Sequence, residues 1–173
     1  MIFKFDTEYN LKTLTAMVKT IRKTTRKLRT VLLWICTIIV FIVALLFSVP
    51  LGILEVEADF SIIIMWIAVV FLVFVMIFED RIGGFFIRKS LNPSLKTVKT
   101  TFMSEGYTAE TEMGVSDFKY NTIRMIVETD DYFVFIFEKK HAQIIKKDGI
   151  FVGTLEDFYT FITKVTAKKI KKI

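Results

Sequence analysis

The sequence contains few of the residues from which most catalytic and metal centres are built. Among 173 residues there is one cysteine, Cys36, and one histidine, His141. A single cysteine excludes an intramolecular disulfide, and with one histidine it excludes a zinc site of the usual Cys/His type. Ser116, Asp117 and His141 are the residue types of a hydrolase triad, but no nucleophile elbow frames them. We therefore predict no catalytic residues, no metal site, no cofactor and no enzymatic activity.

Charge is absent from two long stretches. Residues 30–54 include 25 consecutive uncharged positions, and residues 60–78 include 19. About 20 apolar residues in a helix cross a hydrocarbon core about 30 Å thick. The overall content of 53% hydrophobic residues and the mean hydropathy of +0.52 fit such segments. We predict a transmembrane hairpin over residues 31–78, with Trp34 near one membrane interface and Pro50 and Gly52 near the other.

The charges outside these stretches are distributed unevenly. Residues 1–30 hold eight Lys or Arg against Asp6 and Glu8, and more basic residues follow residue 78. The connector, residues 55–59, has three acids and no base. Because basic flanks stay in the cytoplasm, we predict a protein of the cytoplasmic membrane with two spans and both termini cytoplasmic.

Residues 1–30 form the first of four predicted segments. Alternation in residues 1–6 predicts a short strand, and Thr7 is the predicted cap of a basic amphipathic helix. One interpretation places this helix on anionic headgroups, and the other packs its apolar face on the rest of the protein. Whether the strand joins a sheet elsewhere stays open.

The chain after the hairpin is predicted to contain a linker, residues 79–94, and a domain, residues 95–173. Gly83-Gly84 before Phe85-Phe86-Ile87 indicates a bend with an interfacial aromatic stretch. From Leu95 the apolar residues alternate, which predicts an antiparallel meander with turns at Asn121, 130–131, 139–140 and 148–149. Thr154 is the predicted cap of a helix whose apolar stripe is Phe158, Ile162 and Val165.

The predicted fold class is a membrane α-hairpin plus an α+β domain, in which a curled antiparallel sheet forms a partial barrel capped by the C-terminal helix. This order resembles a pleckstrin-homology-like (PH-like) domain. Residues 123–137 followed by 141–151 resemble the hallmark segment of the YcxB-like family of bacterial membrane proteins. The resemblance implies an N-terminal arm, two adjacent spans and a cytoplasmic domain, and it supplies no catalytic residues.

Three classes of function are compatible with this organisation. The first is a non-enzymatic binding or scaffold module held at the inner leaflet, and the second is an immunity protein that protects its producer from a membrane-active bacteriocin or toxin. The third, an enzyme, lacks any convergent site. The expected partners are the lipid bilayer, anionic headgroups and an unidentified protein or peptide, with no nucleic acid because no recognition motif is present. The candidate anionic-lipid contacts, for which a solvated helix end is the alternative, are Arg22, Lys23, Arg26, Lys27, Lys168, Lys169, Lys171 and Lys172.

Overall fold

The computed structural model describes residues 1–48, 60–92, 95–137 and 141–173. The chain divides into two compact units. The first, here called the sheet unit, contains residues 1–21 and 83–173, and the second, the helical unit, contains residues 22–82. This division differs from the four consecutive segments that the sequence predicts. Three predictions lie outside the described residues. They are the acidic connector at residues 55–59, the position of Pro50 and Gly52 near a membrane interface, and the turn at residues 139–140.

The described residues before residue 92 include three helices. They are α1 (Leu11–Thr25), α2 (Lys27–Ser48) and α3 (Phe60–Ser90). Asn10, rather than the predicted Thr7, caps α1, since its side-chain oxygen accepts a 2.9 Å hydrogen bond from the Thr13 backbone N–H. Within the helical unit, the Trp66 indole N–H donates to Ser48 at 2.8 Å, and Phe41 meets Trp66 edge to face. Helices α2 and α3 therefore contact each other directly.

The predicted bend and linker are wrong over residues 79–90. Helix α3 continues without interruption to Ser90, and Gly83 and Gly84 lie inside it. A Cβ atom at Gly84 would lie 2.9 Å from the backbone nitrogen of Thr15, and one at Gly83 would lie 2.9 Å from a methyl group of Val18. The two glycines thus permit the close approach of α3 to α1, as small residues do between packed helices.

The strands of the sheet unit form two sheets. One has the order β4-β3-β2-β1-β8, and its neighbouring strands are antiparallel. The other has the order β7-β6-β5-β9, in which β9 is parallel to β5. The prediction of a single curled sheet is wrong, because the described strands form two sheets, and these do not close into a barrel. The strands are β1 (Phe3–Glu8), β2 (Thr97–Phe102), β3 (Tyr107–Thr111), β4 (Gly114–Phe118), β5 (Ile123–Glu128), β6 (Tyr132–Phe137), β7 (Ala142–Lys146), β8 (Ile150–Val152) and β9 (Ile170–Lys172).

The N-terminal strand is an internal strand of the first sheet. Strand β1 pairs with β2 from Phe3 opposite Phe102 to Glu8 opposite Thr97, and its other edge pairs with β8. The Phe3 and Phe5 side chains are buried. The N-terminal segment therefore belongs to the same folded unit as the C-terminal residues.

Helix α4 (Leu155–Thr166) holds the two sheets together. Thr154 caps it as predicted, accepting a hydrogen bond from the Asp157 backbone N–H. The fully buried ring of Phe158 lies 4.8 Å from Phe5 of β1 and 5.5 Å from Phe133 of β6, measured between ring centroids. Ile162 is also fully buried, and Val165 packs against the same core. The predicted packing of this helix on the strands is confirmed.

Strand β6 of the second sheet is buried on both faces. Alternate residues of β6, such as Phe133 and Phe135, point into the core shared with α4, whereas Val134 and Ile136 pack with Leu14 of α1. A strand covered on both sides has a continuous apolar sequence, and residues 132–137 of β6 have one. Of the two interpretations of the amphipathic N-terminal helix, the structure supports packing on the protein over its residues 11–21.

Candidate functional site

The helical unit exposes its apolar side chains. Helix α2 spans 22 residues and Ile62–Ser90 of α3 spans 29, and each contains an 18-residue stretch whose mean hydropathy is 3.0 in α2 and 2.9 in α3. Ile67, Val70 and Phe71 are each more than 60% exposed, and they line an open apolar groove along α3. Both helices are long and apolar enough to cross a membrane, which confirms the predicted pair of membrane-capable helices.

Arg22 marks the charged end of the helical unit. Its guanidinium donates two hydrogen bonds of 2.7 Å to the two carboxylate oxygens of Asp80, and it lies 3.7 Å from Glu79. Such a two-point pair is geometrically specific and stronger than a single ionic contact. Because the Arg22 charge is satisfied within the protein, Arg22 is a poorer lipid ligand than predicted. Lys23, Arg26 and Lys27 remain exposed.

The sequence predicts that the C-terminal lysines form a helix end, but the structure places them in the segment that follows the helix. Helix α4 stops at Thr166, and Ala167 takes a left-handed conformation with φ of 51°. The chain then enters β9, whose Ile170 packs against the core. Lys172 lies 3.8 Å from the Glu128 carboxylate, and the Lys168 ammonium donates to the Arg124 carbonyl at 3.3 Å. Lys169 and Lys171 are exposed.

Glu128 is the centre of a buried polar cluster at the end of β5. The same carboxylate oxygen accepts hydrogen bonds from the Lys147 ammonium, at 2.6 Å, and from the Tyr159 hydroxyl. The Glu128 side chain is 7% exposed and that of Lys147 is 12% exposed. The Lys147 ammonium also lies 5.2 Å from the centre of the Phe133 ring. A buried ion pair with these additional partners ties β5, the turn after β7, and α4 together.

The environment of this cluster favours its charged forms. Burial of the Glu128 carboxyl acts to raise its pKa, but the hydrogen bonds from Lys147 and Tyr159 and the nearby positive charges outweigh burial and lower the pKa. Burial likewise acts to lower the pKa of Lys147, but the hydrogen bond and charge of Glu128 raise it. The pair is therefore ionised at neutral pH and serves as a structural ion pair.

Sequence reasoning missed this cluster because its members are far apart along the chain. Residues 128, 147 and 159 belong to three separate elements. One usable signal was Glu128 itself, a carboxylate that follows five residues of an otherwise largely apolar strand. A buried acid in such a strand requires a cationic partner.

The residues considered for chemistry lie apart. Ser116 and Asp117 lie on β4 of the first sheet, whereas His141 precedes β7 of the second, and both Ser116 and His141 are exposed. Over the described ranges, no group of three or more His, Cys, Asp or Glu side chains is arranged to hold a metal ion. Cys36 is exposed on α2.

Comparison with known protein families finds a similarity in the strand region. Residues 102–163 match the family model described as YcxB-like protein. The match confirms the resemblance predicted from residues 123–151. It begins at the end of β2 and ends within α4, so the YcxB-like segment carries most of the two sheets and just over a third of the 173 residues.

Other comparisons add little to the YcxB-like match. No curated protein matches the chain. A solved structure titled "Structure of the Spt16D Pob3N heterodimer" is similar with a TM-score of 0.32 and 10% identity, over 43% of this chain and 44% of that one. The similarity therefore spans less than half of the length of that protein chain, and at this score it carries no argument about fold or function.

Proposed function

We propose that this protein is a non-enzymatic integral membrane protein that presents the sheet unit, as a PH-like binding or scaffold module, at the cytoplasmic side of the cytoplasmic membrane. The observation that carries this proposal is the contrast between two long helices with exposed apolar surfaces and a unit with a buried aromatic core. Two sheets joined by one C-terminal helix support a PH-like arrangement. The basic flanks of the spans support a cytoplasmic location for both termini.

The proposed ligands of this module are anionic lipid headgroups. Lys169 and Lys171 are exposed near the C-terminus, and Lys168 is partly exposed. Each basic residue near an anionic surface contributes about 1 kcal/mol, and the attraction decays over about one Debye length, ~8 Å at physiological salt. Lys172 is treated separately because its ammonium lies 3.8 Å from the Glu128 carboxylate, although its side chain is 81% exposed. In the helical unit, Lys23, Arg26 and Lys27 are the corresponding candidates.

The test uses the full chain in nanodiscs of neutral or anionic lipid. In a Cys36→Ser background, an environment-sensitive fluorophore at Phe151→Cys reports on a 55%-exposed position of the sheet unit. We expect its signal to depend on anionic lipid at low salt and to lose that dependence at high salt. The variant with Lys168, Lys169 and Lys171 changed to Gln should lose part of the dependence.

Lys172→Gln is the matched control for this experiment. It removes one positive charge, as each single substitution of the triple variant does, but from a residue that lies 3.8 Å from the Glu128 carboxylate. We therefore expect it to loosen β9 and to leave more of the lipid dependence intact than Lys168→Gln, Lys169→Gln or Lys171→Gln alone. Equal signals in neutral and anionic nanodiscs at low salt would reject lipid binding by the sheet unit.

The immunity function remains a prediction. No observation on the described residues favours it over the binding module. The measurement that checks it is the survival of cells with and without the protein during exposure to a membrane-active peptide.

A further inference from the structure

The part of α3 that belongs to the sheet unit has an unusual outward face. Its inward face is well packed, since Gly83 and Gly84 approach α1 and Ile87 and Leu91 pack against the cluster around Leu14. On the outward face, where water would favour polar side chains, Phe85 is 56% exposed and Phe86 is 62% exposed. Adjacent large exposed apolar side chains of this kind usually mark an interaction surface.

The two rings form one patch with a cationic border. Their centroids are 6.1 Å apart and the rings meet edge to face. Lys89, four residues after Phe85 and three after Phe86, lies on the same side of the helix and is exposed. We call Phe85, Phe86 and Lys89 the aromatic patch. Residues 83–92 contain two basic residues and no acid, so this stretch of α3 carries a net positive charge.

The position of the patch along α3 places it close to the headgroup layer. Phe85 follows Phe78, the last residue of the uncharged run, by seven residues, which correspond to a rise of about 10 Å. The polar layer of each leaflet is about 5–8 Å thick. Helical side chains tilt towards the N-terminus of their helix, which here is the direction of the apolar run. The rings of Phe85 and Phe86 therefore extend back towards the headgroups.

Charge distinguishes between two candidate occupants of the patch. A second copy of the chain, related by a two-fold axis through the patch, would bring Lys89 close to its own equivalent, with no acid among residues 83–92 to offset the repulsion. Anionic headgroups instead complement the charge of Lys89, and the boundary between headgroups and acyl chains accommodates apolar rings such as those of Phe85 and Phe86. The observations therefore favour lipid over self-association.

We propose that the aromatic patch docks the sheet unit on the membrane, with Phe85 and Phe86 inserted among anionic lipid headgroups and Lys89 bound to their phosphates. This inference rests on the proposed membrane location of α2 and α3. It assigns a docking surface to residues outside the candidate lysines of the C-terminus.

The experiment measures the depth of spin labels on the full chain in anionic and neutral nanodiscs. Three single-cysteine variants are made in the Cys36→Ser background, namely Phe86→Cys, Met113→Cys and Ile67→Cys. All three native side chains are 62% exposed, so differences between the labels report on surroundings rather than on burial in the protein. Accessibility to a water-soluble nickel complex and to oxygen gives the depth of each label.

We expect the label at residue 86 to be several-fold less accessible to nickel than the label at residue 113. This protection should be stronger in anionic than in neutral nanodiscs. Adding Lys89→Gln should reduce the difference between the two lipids, whereas Lys19→Gln, which removes an exposed lysine from α1, should preserve it.

Two results would overturn the inference. Nickel accessibility at residue 86 equal to that at residue 113 would show a solvated patch, and dipolar broadening between labels at residue 86 would show a second copy as the occupant. The label at residue 67 shows whether the docking inference fails alone or together with the proposed membrane location. If residue 67 is inaccessible to nickel while residue 86 is accessible, only the docking inference fails, and if both are accessible, the membrane location fails as well.

Discussion

The two units of this protein treat apolar residues in opposite ways. In the sheet unit Phe5, Phe133 and Phe158 are fully buried, whereas in the helical unit Ile67 and Val70 are more than 60% exposed. The sheet unit thus satisfies its hydrophobic residues within the chain. The helical unit exposes its hydrophobic residues. A lipid bilayer is the environment in which an exposed apolar surface costs no free energy.

This difference shows that apolar composition alone does not define a core. Residues 132–137 of β6 and residues 62–74 of α3 are similarly apolar, but the first are sandwiched between α1 and the core that contains α4. Substitutions that truncate apolar side chains should therefore destabilise one unit and have little effect on the folding of the other.

Removal of β1 should have the largest effect. Deleting residues 1–8 removes an internal strand, two buried phenylalanines and the pairing partners of both β2 and β8. We expect the sheet unit to lose its fold, measured by trypsin resistance and by loss of protected amides in hydrogen exchange. Deleting only Met1 and Ile2, which are exposed, is the control and should leave protection unchanged.

Phe158→Ala should destabilise the sheet unit by about 3–5 kcal/mol, as expected for a buried aromatic residue. The measurement is urea-dependent proteolysis of the full chain. Phe151→Ala is the matched control, because Phe151 is 55% exposed and its truncation should cost much less. Equal effects of the two substitutions would show that α4 does not hold the core together.

Gly84→Ala should reverse the usual effect of alanine in a helix. Alanine normally stabilises a helix interior by about 1 kcal/mol relative to glycine. At Gly84, however, the added Cβ meets the backbone of Thr15, and we expect a loss of about 1–3 kcal/mol from overpacking. Gly83→Ala meets only the Val18 side chain and should cost less. Stabilisation by Gly84→Ala would contradict the close contact between α1 and α3.

Glu128→Gln should cost on the order of 1–3 kcal/mol at neutral pH, because it weakens hydrogen bonds to a charged group and leaves Lys147 without its counterion. Since the folded-state pKa of Glu128 lies below the unfolded value near 4.5, its contribution is present above pH 4.5 and is lost as pH falls through the folded-state pKa. The raised pKa of Lys147 gives a contribution that is complete below about pH 10.5 and is lost as pH rises through the raised value.

Acid titration of unfolding checks this assignment. The native chain should lose stability below about pH 4.5 more steeply than Glu128→Gln, and Tyr159→Phe should retain the native pH dependence in part because Lys147 remains paired. Identical acid profiles of the native chain and Glu128→Gln would contradict the role of this carboxylate.

The sequence allowed the local elements to be predicted but not all their partners. Uncharged runs predict the helices of the helical unit, and alternating or short apolar stretches bounded by turn residues predict the strands between residues 97 and 152, because these signals depend on neighbouring residues. Strand β1 pairs with β2 and β8, which are distant from it along the chain. This pairing could not be predicted, because alternation shows which face of a strand is buried but does not show which strand lies beside it. The division into two sheets was missed for the same reason.

Two errors had more specific causes. Gly83-Gly84 was interpreted as a turn signal, but within a helix the missing Cβ atoms serve close packing against α1. The C-terminal lysines continued the charge pattern of α4, whereas Ala167 changes the chain direction and Ile170 draws β9 into the core. Among the candidate lipid residues, the partners of Arg22, Lys168 and Lys172 could not be predicted from the sequence, because Asp80, the Arg124 carbonyl and Glu128 are distant along the chain.

The most direct test of the contrast between the two units is substituted-cysteine labelling of the full chain in intact cells, in a Cys36→Ser background. A membrane-impermeant maleimide should label Glu57→Cys from outside and should label Lys169→Cys only after the membrane is permeabilised. Failure to label Glu57→Cys from outside, together with release of the protein from membranes by an alkaline carbonate wash, would contradict the account that α2 and α3 span the membrane.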